Sequence, residues 1–289
     1  MDASMLQFLL LPFAASLILA GIHAYLGIHV VERGVIFVDL SLAQIAALGA
    51  TVALFLPFTG GDPHSPGVYW ISLGFTFLGA LVFSTIRSRR ARIPQEAIIG
   101  ISYAVASGAA ILLMSQATSE SEHLKDMLVG NILTVSWPEV RNTALLYGVI
   151  GLFHYVFRRK FLAISMDSKK AEADGIPVKL WDFLFYASFG FVVTSSVSIA
   201  GVLLVFCYLI VPSVGAMLYA ETVGRRLAIG WAMGAVVSAL GVFLSFKLDL
   251  PTGPAIVCTF GLTLVVLAAL RPLIAGRTAR ASVSAVGKA

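Results

Sequence analysis

The chain has 289 residues, of which 58% are hydrophobic and only 12% charged, and its mean hydropathy is +0.92. A soluble domain carries roughly 25% charged residues, so this composition excludes a water-covered globule. The net charge of +5 does not indicate a nucleic-acid surface, because the basic residues sit in short clusters between apolar runs, as in loops beside a cytoplasmic membrane face.

About 20 apolar residues cross the hydrocarbon layer. In chain order the candidate spans are 5–27, 35–57, 68–86, 96–117, 140–157, 183–199, 200–219, 227–246 and 254–273. The start, Met1 to Ser4, lacks the positive flank of a signal peptide, so the first run reads as a retained helix. Thr194, Ser195, Ser196 and Ser198 interrupt the pair 183–199 and 200–219, and one of the two fits a half-helix or re-entrant segment as well as a full crossing. The expected fold is all-α, a polytopic transmembrane bundle of about eight or nine spans. It forms one domain over 1–289, with the bundle at about 5–273 and a cytoplasmic tail at 274–289.

All but three of the 20 basic residues (Lys125, Arg141 and Lys247) fall in the segments 28–34, 87–95, 158–182, 220–226 and 271–289. A nine-span arrangement with the N-terminus out and the C-terminus in places all of these segments in the cytoplasm. Cys207 and Cys258 lie inside apolar runs, which argues against a disulfide framework or a thiolate metal site. No P-loop, His-Glu-x-x-His or Gly-x-Ser-x-Gly motif occurs, so any nucleotide chemistry belongs to another chain.

Among the polar positions, Asp62 and His64 read as a turn before a ligand pair. Glu120, Glu122, His123 and Asp126 form a solvated outer loop, or a docking patch or weak cation funnel. His23, His29 and His154 are expected at the membrane interface. Glu96 follows Pro94 at a helix start, where the backbone dipole favours a carboxylate. The hydroxyls Thr194, Ser195 and Ser198 beside Gly201 permit close helix approach, and serve either as part of a gate or as packing.

The loop 158–182 holds a short helix with both ends marked. Asp167 caps it, Ser168 to Asp174 are its body, Gly175 suits the left-handed terminating position and Pro177 prevents continuation. A helix of two turns is marginal in water and needs a docking surface. Two readings fit: a linker lying against its own bundle, or a coupling helix seated in a cytoplasmic ATPase, with Asp167, Ala171, Gly175 and Ile176 as its key positions.

Asp167 to Val178 resembles the loop of the permease subunits of zinc/manganese-type ATP-binding-cassette importers. Further stretches match that family in the same order: Glu32 to Val38 with the small-residue helix ending at Gly49, Ala97 to Ile101, Leu128 to Leu133, Gly201 to Val205 with Leu209 to Pro212, and Asp249 to Pro254. The resemblance implies a permease without its own ATPase site, working as a homodimer or paired permease in the lipid of a prokaryotic inner membrane. It further implies two cytoplasmic ATPase subunits, an extracytoplasmic metal-binding protein, a divalent metal (zinc or manganese) as cargo, and no permanently bound cofactor.

One departure matters. The second helix of that family carries Asp-x-x-x-His, but here Leu40 and Gln44 stand at those two positions and the nearest carboxylate is Asp39. At about 100° per residue, five residues set Asp39 and Gln44 roughly 140° apart, so a straight helix cannot turn both toward one ion. Asp39 reads either as a helix-end carboxylate or as a pathway residue. Gln44 reads either as interhelical glue or as pathway lining. An ion-coupled secondary carrier is the alternative function, but it should hold a carboxylate or ion pair deep in the bundle, whereas Asp39, Glu96, Asp182 and Asp249 all lie near span ends.

Overall fold

The computed structural model describes residues 3–59, 65–86, 94–114 and 132–286, with side chains at 9–59, 65–86, 94–114 and 132–272. Asp62, His64, the acidic loop 120–126 and the basic cluster 87–92 lie outside the described residues. Among those described, the structure is helical with no strand. The helices are α1 (Ala3–Arg33), α2 (Val38–Leu54), α3 (Pro66–Ile86), α4 (Gln95–Met114), α5 (Trp137–Val156), α6 (Arg158–Met166), α7 (Ser168–Ala173), α8 (Val178–Met217), α9 (Val223–Leu248) and α10 (Thr252–Val286).

Six of these are long and apolar enough to cross a membrane: α1, α3, α4, α8, α9 and α10. Two shorter or more polar helices complete the bundle. The 17 residues of α2 form a shorter apolar helix. α5 carries Glu139 and Arg141 in its first turns, yet turns a row of uncovered apolar side chains (Leu145, Val149, Leu152 and Val156) away from the protein. That row suits lipid tails, and it lets a helix of modest hydropathy sit in the bundle.

At 40 residues, a straight α8 would run about 60 Å, twice the roughly 30 Å hydrocarbon layer. It is instead two helices meeting at Gly201, whose φ of 74° and ψ of 161° are non-helical. Only glycine occupies that region without steric cost. Contacts on either side of the break establish that the chain reverses there. Before Gly201, Asp182 pairs with Arg33 at the end of α1, while Ser196 meets His23 ten residues earlier in α1, so this half runs antiparallel to α1. Beyond Gly201, Tyr208 bonds Ser238 and Gly215 meets Met233, antiparallel to α9. α9 is itself antiparallel to α1, with Arg226 paired to Glu32 and Gly234 packed on Ala20. The candidate spans 183–199 and 200–219 are therefore two helical segments that run in opposite directions.

Close backbone approach holds these passes together. A Cβ at Gly27 of α1 would lie 1.9 Å from the Leu209 carbonyl oxygen. The two backbones can therefore touch there only because residue 27 has no side chain, the usual device for packing helices in lipid.

Two expectations need correction. The segment 158–182, read from sequence as a loop with one short helix, is helical almost throughout. α6 is a separate helix that buries Phe161, Ile164 and Ser165 on one face, a spacing with the helical period, and α8 begins at Val178 rather than 183. His23, His29 and His154, expected at the membrane interface, are instead enclosed by protein, since none exposes more than 1% of its surface. Each finds a partner inside the bundle: His23 Nδ1 the Leu19 carbonyl, His29 Nδ1 the Ser165 hydroxyl, and His154 Nε2 the Ser188 hydroxyl.

Candidate functional site

Three groups of residues carry chemistry. The first is the short helix α7. Asp167 is extended (φ −150°, ψ 94°) and its Oδ1 accepts from the backbone amides of Lys169 and Lys170 at 3.0 Å each, an N-cap that satisfies two orphan donors. At the other end Gly175 takes φ +80°, its amide donates to the Glu172 carbonyl, and the Ile176 amide donates to Ala171 at 3.0 Å. These two bonds are the paired terminating bonds of a Schellman motif. Ala171 faces inward and is 1% exposed, whereas Lys169, Lys170, Glu172 and Asp174 lie on the outer side. α7 is thus a capped helix held to the bundle by one small residue, with its charged face outward.

Beneath α7 lies an enclosed polar cluster that sequence spacing alone does not reveal. The Arg33 guanidinium donates from Nη1 to Asp182 Oδ1 at 2.6 Å and from Nε to Ser165 Oγ at 2.9 Å. It lies 3.9 Å from the centre of the Phe185 ring. Both charged side chains are fully enclosed. Their separation of 149 residues hides the pairing; the available signal was only that opposite charges at the same membrane depth tend to pair.

The second group lies on α2. Asp39 sits in the first turn, buried, with the neighbouring Leu40 amide donating to its Oδ1 at 2.7 Å. Glu96 of α4 accepts from the Phe37 amide at 3.0 Å, so it caps α2 from outside. Gln44 is half-buried, and no hydrogen bond joins it to Asp39 among the described residues. Ser41 and Thr51 are buried on the same helix. Among the described residues no group of three or more His, Cys, Asp or Glu side chains is placed to hold a metal ion.

The third group is the hydroxyl run before Gly201, whose members point to three different helices. Thr194 Oγ1 lies 3.3 Å from Thr76 Oγ1 of α3, Ser195 Oγ 3.1 Å from the Tyr147 hydroxyl of α5, and Ser196 Oγ 3.4 Å from His23 Nε2 of α1. Ser198 is exposed and donates back to the Ser195 carbonyl at 2.8 Å. Thr194 and Ser195 are thus brought together with other helices and Ser198 is not. Ser196, Thr76, Tyr147 and His23 join the group unforeseen.

The chain matches the ABC 3 transport family over residues 5–271 and belongs to that family. It is 27% identical over 262 residues to the chelated iron transport system membrane protein YfeC of Yersinia pestis, across 88% of this chain and 86% of the relative. It is 27% identical over 264 residues to the manganese import system permease protein ScaB of Streptococcus gordonii, across 85% of this chain and 92% of that one. In fold it resembles the structure of PsaBC from Streptococcus pneumoniae in complex with Fab, with a TM-score of 0.76 at 23% identity over 92% of this chain and 95% of that one.

Proposed function

We propose that the chain is the membrane-spanning subunit of an importer for a divalent transition metal, driven by separate cytoplasmic ATPase subunits and supplied by an extracytoplasmic metal-binding protein. The observation that carries this reading is α7, capped at Asp167, terminated at Gly175 and presenting a charged face at the bundle end where Arg33 lies. Permease relatives described as manganese and chelated-iron systems support manganese or iron as cargo; zinc rests on the resemblance of the sequence motifs alone.

In this reading the chain forms one domain that pairs with a second permease copy in the lipid of the inner membrane. The N-terminus lies outside and the C-terminal tail in the cytoplasm, in keeping with the basic clusters. The chain holds no ATPase site and no resident cofactor. Asp167, Gly175 and Ile176 fix the ends of the coupling helix, while Ala171 seats it on the bundle and leaves the outer charges to meet the ATPase. Asp39 and Gln44 contribute single side chains to the path, with the partner copy supplying the facing wall. Thr194 and Ser195 form part of the gate, because their bonds tie one half of α8 to α3 and α5; Ser198 lines its open side. The carrier alternative finds no support: the enclosed Arg33–Asp182 ion pair joins the last residue of α1 to the first turns of α8, not mid-membrane groups.

Co-expression with the ATPase chains tests the proposal. The expected result is a stable complex that is lost on Ala171→Arg, whose long charged side chain lifts α7 off its seat; an unchanged complex would contradict it.

A further inference from the structure

α7 is only useful as a lever if its movement reaches helices that cross the membrane, and a six-residue helix bonded chiefly to itself cannot do that alone. Its flanks show where the connection runs. Ser165 lies two residues before the Asp167 cap, and Asp182 lies five residues after Pro177. Both are held by the same side chain, Arg33, at 2.9 and 2.6 Å. The guanidinium also stacks on Phe185, one turn further along α8, and Ser165 Oγ lies 2.8 Å from His29 Nδ1, a second position on α1. The two chain segments that enter and leave α7 are therefore both fastened to the end of α1.

From there α1 is continuous with the rest of the bundle. Gly27 meets the Leu209 backbone beyond the Gly201 reversal, and Ser213 Oγ donates to the Ala24 carbonyl at 3.3 Å. Trp231 Nε1 of α9 donates to the Gly21 carbonyl at 2.9 Å. A shift at Arg33 thus moves a helix with backbone-level contacts to both the second half of α8 and α9.

We propose that Arg33 is the positioning residue that transmits the movement of α7 into the membrane: its guanidinium clamps both flanks of the coupling helix to α1, so that α1 is carried along when α7 is displaced. This rests on the coupling reading of α7. Arginine suits the task because its planar fork serves Ser165, Asp182 and a ring face at once, where a lysine ammonium would act as a point charge. A purely structural ion pair would need Asp182 alone; the bond to Ser165 is what makes the cluster a joint.

The test uses the full assembly with its ATPase subunits in lipid nanodiscs. Hydrogen–deuterium exchange is compared between the nucleotide-free and ATP–vanadate-trapped states, a readout that does not require the cargo to be known. In the wild type, trapping should change exchange in α6 and α7 and also in residues 22–33 of α1. In Ser165→Ala and Arg33→Lys, both of which leave a cation opposite Asp182, the α7 response should persist while the α1 response falls at least about twofold. Ser165→Thr, which keeps the hydroxyl, should restore it. An α1 response that is absent in the wild type, or undiminished in both variants, overturns the clamp. A silent α7 in the wild type instead overturns the coupling reading, and the clamp with it.

Discussion

Arg33 and Asp182 face each other with no side-chain surface exposed, so removing either partner strands a buried charge. Such a loss typically costs about 3–5 kcal/mol. Arg33→Ala or Asp182→Ala should lower the thermal unfolding midpoint of the detergent-purified protein sharply, and the double variant should be less damaging than the sum of the two. Asp39 is a different case, since its bond comes from the adjacent Leu40 amide and no basic side chain is bonded to it among the described residues. Asp39→Asn should leave the midpoint nearly unchanged while reducing metal uptake severalfold at equal expression; unchanged uptake would remove Asp39 from the path. At this scale the sequence was partly misleading. The histidines looked interfacial because each stands near the end of an apolar run, but His29 and His23 meet Ser165 and Ser196, each more than a hundred residues away, and His154 meets Ser188 of α8. A carboxylate or imidazole in a hydropathy profile reports its cost, not the partner that offsets it.

At the scale of single elements, two glycines fix the architecture. Gly201 sits where α8 reverses, in a conformation that L-residues enter only at a cost of about 1–3 kcal/mol. Gly201→Val should reduce the yield of folded protein far more than Gly148→Val, a helical position where an added Cβ meets nothing within 4 Å; monodisperse protein recovered in detergent measures the difference. Gly175→Val should cost about 1–2 kcal/mol at the end of α7 and speed proteolysis of the 158–177 segment, with the membrane helices intact. The ends of α7 were legible because Asp167, Gly175 and Pro177 each act through local backbone geometry. α6 was not, because its first three residues are Arg158, Arg159 and Lys160, and only the docking of Phe161 and Ile164 makes it a helix worth forming. The pair across Gly201 was half legible: basic flanks at 158–182 and 220–226 called for two opposed crossings while the hydroxyl run left a half-helix open, and the opposed directions follow from contacts with α1 and α9.

For the whole molecule, the fold could be read because lipid leaves few choices: every backbone amide must be bonded within a helix, and basic loops mark one side. The candidate path could not be read in the same way, since α2 departs from the family pattern at Leu40 and Gln44. The central claim is that a motor hydrolysing nucleotide on another polypeptide grips this bundle through α7. The most direct measurement is uptake of Mn2+, Fe2+ and Zn2+ into vesicles holding the purified chain, with and without its ATPase subunits and binding protein. The account predicts ATP-dependent accumulation of at least one of these ions only in the complete assembly, abolished by Ala171→Arg; accumulation by the chain alone, with no second polypeptide present, would contradict it.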